Sequence, residues 1–479
     1  MKTKGSFSLA ASAAIFATPL FVQAAGPVTP IQHVVVIFDE NNSFDHYFGT
    51  YPSAANPPGE PQFTPLPNTP SINGLTPGLI SNNQNSTKPF RLDRSQPLLC
   101  DNDNHYTDEQ NAYHAGLLDK FPESTNGTGC PVGSNMGYYD GNTVTALWNY
   151  AQHFAMSDHF FDTEFGTTVM GHLNLISGQT HQTGVNSISG KVANGSVIAN
   201  VEAGFDDCTG KTPVKMTSKN VGDLLTAAGI TWGWFYDSFA RIGSNADGTA
   251  VCNPNYNNHY DPFMYYASTS NPHHLPPSSV DVIGQNSDQA NHQYDLSDFY
   301  DALAQGNLPS VTFLKAKKYQ DGHAGFGYSN PLDEQSYLVT VVNAVEASPY
   351  WNDTAIIIAY DDSDGWYDHA MPPILKGSTV PGVDALNGDG KCGSMSAGAY
   401  PLRCGYGPRL PLLVISPYAR VNFVDHTLTD QTSILRFIED NWSLGRIGDQ
   451  SYDELAGPLD GMFDFSRGAI VLNPRTGSF

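Results

Sequence analysis

The stretch "IQHVVVIFDENNSFDHYFG", residues 31–49, decides the fold class. Its apolar run ends at Phe38 and passes directly into four oxygen-bearing side chains at 39–42. A continuous apolar run predicts a strand that is buried on both faces, as in a largely parallel sheet. In open α/β sheets, ligands bind beyond the carboxyl ends of the strands. We therefore predict that Glu40 and Asn41 lie at the rim of a binding site.

Further apolar segments repeat this pattern and alternate with segments of helical periodicity. The predicted strands are 33–38, 230–236, 308–314, 354–360 and 410–416, and the predicted helices are 143–154, 218–229, 333–347 and 429–442. This alternation predicts a three-layer α/β/α fold with a mostly parallel central sheet. Loop-rich insertions near 52–98 and 238–295 are expected to form a cap on a single catalytic domain, residues 25–479.

The amino terminus and the cysteines indicate export. Residues 1–24 have the lysines, apolar core and small residues of a secretory signal, and an uncleaved anchor is the alternative. The even count of six cysteines favours disulfides, with Cys392 and Cys404 as the best single pairing. We expect a secreted or periplasmic protein with no stable membrane anchor after cleavage. Its net charge of -24 argues against nucleic-acid partners.

A second acidic cluster follows another apolar segment. The stretch "TAIIIAYDDSDGWYDHA", residues 354–370, places Asp361 and Asp362 directly after a predicted strand. Two strand ends that carry oxygen donors predict a site for one divalent cation, because Mg²⁺ and Ca²⁺ prefer such donors and Zn²⁺ or Mn²⁺ would accept them. The alternative is that these acids are solvated loop or helix-capping residues. The metal's identity stays open.

A third motif and several histidines suggest phosphorus chemistry. The stretch "TEFGTTVMGHLNLISGQT", residues 163–180, predicts a turn that delivers a threonine hydroxyl to a helix N-terminus, where anions bind. Such a hydroxyl could attack phosphorus, and an ordinary N-cap is the alternative. The loop histidines His105, His259 and His323 could supply positive charge and a proton, or they could be plain surface residues.

Five motifs in order, between about residues 30 and 445, carry a family resemblance. They are "DENNSFDHYFG", "TTVMGHLNLISGQT", "QDGHAGFGYSNPLDEQ", "YDDSDGWYDH" and "YGPRLPLLVISPYAR". Together they resemble the bacterial phosphoesterase family of phospholipases C and acid phosphatases, within the alkaline-phosphatase-like superfamily. The resemblance implies an alkaline-phosphatase-like fold, a single divalent metal, a hydroxyl nucleophile and a covalent phospho-enzyme intermediate.

The resemblance also implies residue roles, position by position. The implied metal ligands are Glu40, Asn41, Asp361, Asp362 and Thr168. The implied substrate contacts are Asn41, His259 and His323. Thr168 falls at the nucleophile position, and His105 or His323 would protonate the leaving alcohol before water releases phosphate from the threonine. Cationic histidines would favour an acidic pH optimum.

Three departures from the family pattern bear on the activity. The family's histidine in a "CDxDHxYT" context aligns with Asn104, with His105 next to it, and Tyr260 replaces the second histidine of a pair. The third departure is "DDSD" at 361–364, where the phospholipases commonly carry "DEND". We therefore expect an acid phosphatase that cleaves phosphomonoesters. The alternatives are a phospholipase C, with a phospholipid headgroup as substrate, and a phosphate- or metal-binding protein without turnover.

Overall fold

The structure is a computed structural model. It describes Met1 and residues 26–97, 99–325, 329–386, 392–393, 395 and 397–469. The predicted signal sequence at 1–24 lies, apart from Met1, outside the described residues. Within those residues, no helix combines the length and the apolar character needed to cross a membrane.

An eight-stranded sheet forms the centre of the fold. Its strands are β1 His33–Asp39, β2 Ala155–Ser157, β3 Trp232–Tyr236, β4 Gln293–Asp295, β5 Val311–Lys315, β6 Thr354–Tyr360, β7 Leu412–Ile415 and β8 Phe423–Asp425. In space they follow the order β4-β3-β5-β1-β6-β7-β2-β8. Strand β7 runs antiparallel to β6 and β2, and the other neighbouring pairs are parallel. The predicted α/β class and mostly parallel sheet are confirmed.

The central pair, β1 and β6, positions the acidic clusters. Residues 34–39 and 354–360 are buried throughout, and because side chains alternate between the faces of a strand, both faces of the sheet are covered. The parallel register pairs Asp39 with Tyr360. The residues that follow, Glu40 and Asp361, therefore leave the sheet side by side.

Helices flank this sheet. They are α1 Phe44–Phe48, α2 Pro77–Asn82, α3 Tyr106–Tyr113, α4 Phe121–Ser124, α5 Thr145–His153, α6 Thr168–Ser177, α7 Val221–Ala228, α8 Leu296–Gln305, α9 Pro331–Glu346 and α10 Gln431–Asn441. The four predicted helices correspond to α5, α7, α9 and α10. Their ends follow local signals: Asn220 caps α7, and Gly229 ends it with a φ of +70°.

Loops and short two- and three-stranded ribbons connect these elements. The ribbon strands are Phe90–Arg91, Gly137–Tyr138, Phe160–Phe161, Ser187–Ile188, Val192–Ala193, Ser196–Val197, Glu202–Ala203, Pro213–Val214, Gly243–Ser244, Ala250–Val251 and Thr429–Asp430. The last residues of the insertion predicted at 238–295 belong to the central sheet, because Gln293–Asp295 forms the edge strand β4. Periodicity missed this strand because three residues are too few to show one.

Three disulfides tie the loops. They are Cys100–Cys130, Cys208–Cys252 and Cys392–Cys404. The last confirms the pairing expected from the sequence. Each crosslink restricts the unfolded chain, so the long loops cost less conformational entropy on folding than their length alone suggests.

Replacing Ile357 by Ala should destabilise the fold by about 2–5 kcal/mol, as for other large-to-small core substitutions. Ile357 is fully buried between Val36 of β1 and Val414 of β7. Denaturant unfolding monitored by circular dichroism measures the loss. The control is Val132→Ala at a side chain that is 80% exposed, where a change within about 0.5 kcal/mol is expected. Equal losses in both variants would contradict this account of the core.

Candidate active site

Hydrogen bonds join the turns that follow β1 and β6, including one from the N–H of Asn42 to the carbonyl oxygen of Asp362 at 2.9 Å. The backbone N–H of Asn41 donates to Asp361 Oδ1 at 3.0 Å, and the N–H of Asp362 donates to the same oxygen at 2.8 Å. Asn41 has a φ of +39°, a left-handed conformation that asparagine adopts more readily than most residues. The turn after β1 is thereby fixed against the turn after β6, and the two acidic clusters form one site.

Several buried atoms at this junction lack a hydrogen-bond partner among the described residues. They are Glu40 Oε2, Asn41 Oδ1, Asp361 Oδ2 and His172 Nε2. Donor atoms of Glu40, His172 and Asp361 lie within 4.8 Å of one another. Buried polar atoms are normally satisfied, so this group of oxygen donors fits a bound divalent cation. A cation here would draw on the oxygens of Glu40, Asn41 and Asp361.

The charges at the junction also fit a cation. Burial, together with Glu40 and Asp362, raises the pKa of Asp361 well above its usual range. Burial and the neighbouring Asp364 raise the pKa of Asp362 to about 8. Uncompensated carboxylates in a dry site disfavour their own ionised forms, and a bound cation would reverse that effect.

A lysine ammonium group supplies one positive charge at the junction. The fully buried Lys315, the last residue of β5, contacts Glu40 Oε1 and donates to the carbonyl of Phe38 at 3.1 Å. Burial alone would raise the pKa of Glu40, but Lys315, His323 and His172 together outweigh it and lower that pKa. Glu40 is therefore ionised, with Oε1 held by the lysine and Oε2 left for another partner.

Helix α6 brings a hydroxyl to the same place. Thr168 is its first residue, and Thr168 Oγ1 lies 3.5 Å from Asp362 Oδ2. The helix passes close to the end of β6: a Cβ added at Gly171 would lie 1.9 Å from the carbonyl oxygen of Asp361. Only glycine fits that contact. Gly171 is thus required for steric reasons, and the close approach that it allows places Thr168 beside Asp362.

His323 joins the site from the loop after β5. Its Nδ1 lies 3.6 Å from Glu40 Oε2, and its Nε2 lies 3.3 Å from Asp101 Oδ1 and 3.4 Å from Asp364 Oδ1. Its Nε2 also lies 3.3 Å from Asn41 Nδ2. Burial opposes a charge on the ring, but the surrounding carboxylates outweigh it and raise the pKa of His323 well above its usual range. The ring is a cation that can donate a proton.

A cavity of about 350 Å³ opens onto this site. Its lining includes Thr168, His105, His259, His323 and Lys318. The three predicted histidines and the predicted nucleophile therefore share one cavity. Burial lowers the pKa of His259 to about 4, so this ring is neutral even in mild acid. Its surroundings are too dry to favour the charge, so His259 can contact a phosphate by hydrogen bonding rather than as a cation.

Asn104, and not His105, contacts the acidic cluster at the position where the family resemblance implies a histidine. The Asn104 amide donates to both oxygens of Asp362, at 3.0 Å each. His105 instead places its Nδ1 on Asp103 and leaves 62% of its side chain exposed. The residue that contacts the acidic cluster is thus the one that aligns with the family's histidine, and the adjacent His105 lies at the cavity wall.

Sequence reasoning missed Asn104, His172 and Lys315 as site residues. His172 follows Thr168 by one helical turn, and its Nδ1 lies 2.8 Å from the carbonyl oxygen of Thr168. That spacing was a usable signal, since residues four apart share one face of a helix. Lys315 offered another signal, because it directly follows the predicted strand 308–314. The only signal for Asn104 was its alignment with the family's histidine, whose side chain has a different chemistry from an amide.

The fold and the site together define the class of protein: an α/β protein with a buried hydroxyl beside an oxygen-rich cation site. A model of the phosphoesterase family matches residues 31–445. Because that match covers most of the chain, this protein belongs to the phosphoesterase family.

Individual relatives show how far the similarity extends. The chain is 25% identical to a non-hemolytic phospholipase C of Burkholderia pseudomallei, over 86% of this chain and 55% of that protein. It is 26% identical to a non-hemolytic phospholipase C of Pseudomonas aeruginosa, over 92% of this chain and 60% of that protein. The chain therefore spans somewhat more than half the length of these relatives. Among solved structures, a protein in the alkaline phosphatase superfamily from Vibrio parahaemolyticus matches with a TM-score of 0.32 and 11% identity, over 90% of this chain and 74% of that one.

Replacing Asp361 by Asn should abolish stabilisation by Mg²⁺ or Mn²⁺ without destabilising the metal-free protein. An Asn Oδ1 can still accept from the N–H groups of Asn41 and Asp362, while one crowded charge is removed. In the wild type, a cation at a hundredfold excess over its Kd should add about 2.7 kcal/mol. Thermal unfolding with and without chelator measures both effects. The matched control is Asp119→Asn, a surface acid beside His114. The site assignment fails if the Asp361 variant keeps the wild-type response to metal.

Proposed function

We propose that this protein is an exported phosphoester hydrolase of the phospholipase C type, with Thr168 as nucleophile and one divalent cation. The observation that carries the proposal is the position of the Thr168 hydroxyl. Thr168 is the first residue of α6 and lines the cavity, and its Oγ1 lies 3.5 Å from Asp362 Oδ2. The names of the relatives favour a phosphodiester substrate. Three disulfides favour an oxidising compartment outside the cytoplasm.

In the first step, Thr168 Oγ1 attacks phosphorus and the bond from phosphorus to the leaving oxygen breaks. The hydroxyl proton passes to Asp362 Oδ2, the carboxylate oxygen that Thr168 Oγ1 approaches at 3.5 Å. The leaving alcohol takes a proton from the cationic ring of His323, which lines the same cavity. The dipole at the N-terminus of α6 favours the negative charge that develops on the phosphoryl group.

In the second step, water attacks the phosphothreonine and gives a proton to His323. Thr168 Oγ1 leaves phosphorus and regains its proton from Asp362, which restores the enzyme. A divalent cation bound by Glu40, Asn41 and Asp361 would supply Lewis-acid stabilisation of the charged oxygens. The neutral ring of His259 and the amide of Asn41 would orient the phosphoryl group by hydrogen bonds.

Phosphomonoester hydrolysis is the second candidate. Lys318 and the cationic His323 line the cavity together with the carboxylate of Asp101. The two positive groups would attract the dianion of a phosphomonoester more strongly than the monoanion of a diester. The same nucleophile and the same cation site would serve both substrates, so the walls of the cavity decide between them.

The variant Thr168→Ala should lower kcat by at least about 10³-fold, since it removes the attacking oxygen. Thr168→Ser should keep measurable activity. The adjacent Thr167 is the matched control: it is equally buried, and its hydroxyl caps no N–H of α6. Thr167→Ala should stay within a few-fold of the wild type. Loss of activity in Thr167→Ala, with Thr168→Ala active, would move the nucleophile to the neighbouring residue.

Two chromogenic substrates separate the candidate functions. We expect faster release from p-nitrophenyl phosphorylcholine, a diester, than from p-nitrophenyl phosphate, a monoester. A chelator should abolish both rates, because the crowded carboxylates need a cation. Faster release from the monoester would favour the second candidate. Release from neither substrate, with phosphate still bound, would indicate a binding protein.

A further inference from the structure

Another group of side chains that could hold a metal ion lies beyond the carboxyl ends of β2 and β8. Asp158 follows β2 and His426 follows β8, two parallel neighbours whose register pairs Ser157 with Asp425. The Nδ1 of His426 lies 2.7 Å from Asp158 Oδ1, and the Nδ1 of His159 lies 3.0 Å from the same oxygen. Two histidines and one carboxylate thus converge at the carboxyl end of a rigid strand pair.

We propose that Asp158, His159 and His426 form a binding site for Zn²⁺ or a similar borderline divalent ion, separate from the phosphoester site. Two imidazole nitrogens and one carboxylate oxygen are a donor set that zinc uses where three protein ligands leave a fourth position open. A hard cation such as Mg²⁺ prefers sites made of oxygen alone. The two sites therefore select different metals.

The distances from the two imidazoles to the carboxylate are close to those of a bound ion. Donor atoms of the three residues lie within 4.8 Å of one another. Tetrahedral zinc with bonds of about 2.0–2.1 Å separates its ligand atoms by about 3.3 Å. The two nitrogen–oxygen distances of 2.7 and 3.0 Å would therefore open by only a few tenths of an ångström.

The carboxylate is anchored, and the imidazoles face solvent. Asp158 is fully buried, its Oδ2 accepts from the N–H of Asn73 at 2.6 Å, and its carbonyl oxygen accepts from Arg409 at 3.0 Å. The side chains of His159 and His426 are 36% and 59% exposed. The ion could enter from solvent, and water could take the fourth position.

The site is independent of the phosphoester chemistry. None of its three residues lines the cavity at Thr168. The phosphoester site follows β1 and β6, whereas this site follows β2 and β8, with β7 between β6 and β2. Variants at the histidines should therefore change zinc binding and leave hydrolysis in Mg²⁺ or Mn²⁺ unchanged.

Zinc titration of the full chain tests the proposal. The protein is stripped with chelator, dialysed against Zn²⁺ and analysed for bound metal by mass spectrometry. The wild type should bind one more equivalent than the double variant His159→Ala/His426→Ala, and His426→Ala alone should weaken that equivalent by at least about tenfold. Zinc should also raise the Tm of the wild type by more than that of either variant.

The matched control is His114→Ala, which removes another exposed histidine whose Nδ1 lies 2.6 Å from a carboxylate, here of Asp119. It should keep the full zinc stoichiometry. The proposal is overturned if His426→Ala binds zinc as the wild type does, or if His114→Ala loses as much. Circular dichroism confirms folding, and the exposed single variant His426→Ala serves if the double variant does not fold.

Discussion

The parallel pairing of β1 with β6 is the constraint on which the site depends. Its register ends both strands at the same level, so that the backbone N–H of Asn41 can donate to the side-chain carboxylate of Asp361. Residues 320 positions apart in the chain are thereby held together by the sheet rather than by each other. Thr168, Asn104 and His323 each reach the site through a contact with one of these two turns.

This arrangement concentrates negative charge where water is scarce. A buried polar atom without a partner costs about 1–3 kcal/mol, and several such oxygens lie together here. Lys315 offsets part of that cost by neutralising Glu40. The remaining oxygens of Asn41 and Asp361 would gain a partner if a cation bound there. The unfavourable terms of the metal-free fold would then be the same terms that give the cation its affinity.

The sequence predicted what depends on local pattern and left out what depends on neighbours in space. Apolar runs identified five sheet strands, and Gly229 identified the end of α7, because burial and capping act over a few residues. The edge strand β4 is too short to show a period. Asn104 was passed over in favour of His105, since histidine chemistry is recognisable in a sequence and an amide contact with Asp362 is not. Lys315 became meaningful only once β5 lay beside β1.

The approach of α6 to the end of β6 explains why two adjacent threonines differ in chemistry. Thr167 precedes the helix and Thr168 begins it, so the helix axis and the Gly171 contact together determine which hydroxyl faces Asp362. A side chain at 171 would push the helix away from the carbonyl of Asp361 and carry the Thr168 hydroxyl with it. Gly171, three residues along the chain from Thr168, thus helps to set the distance between the Thr168 hydroxyl and Asp362 on which the proposed reaction depends.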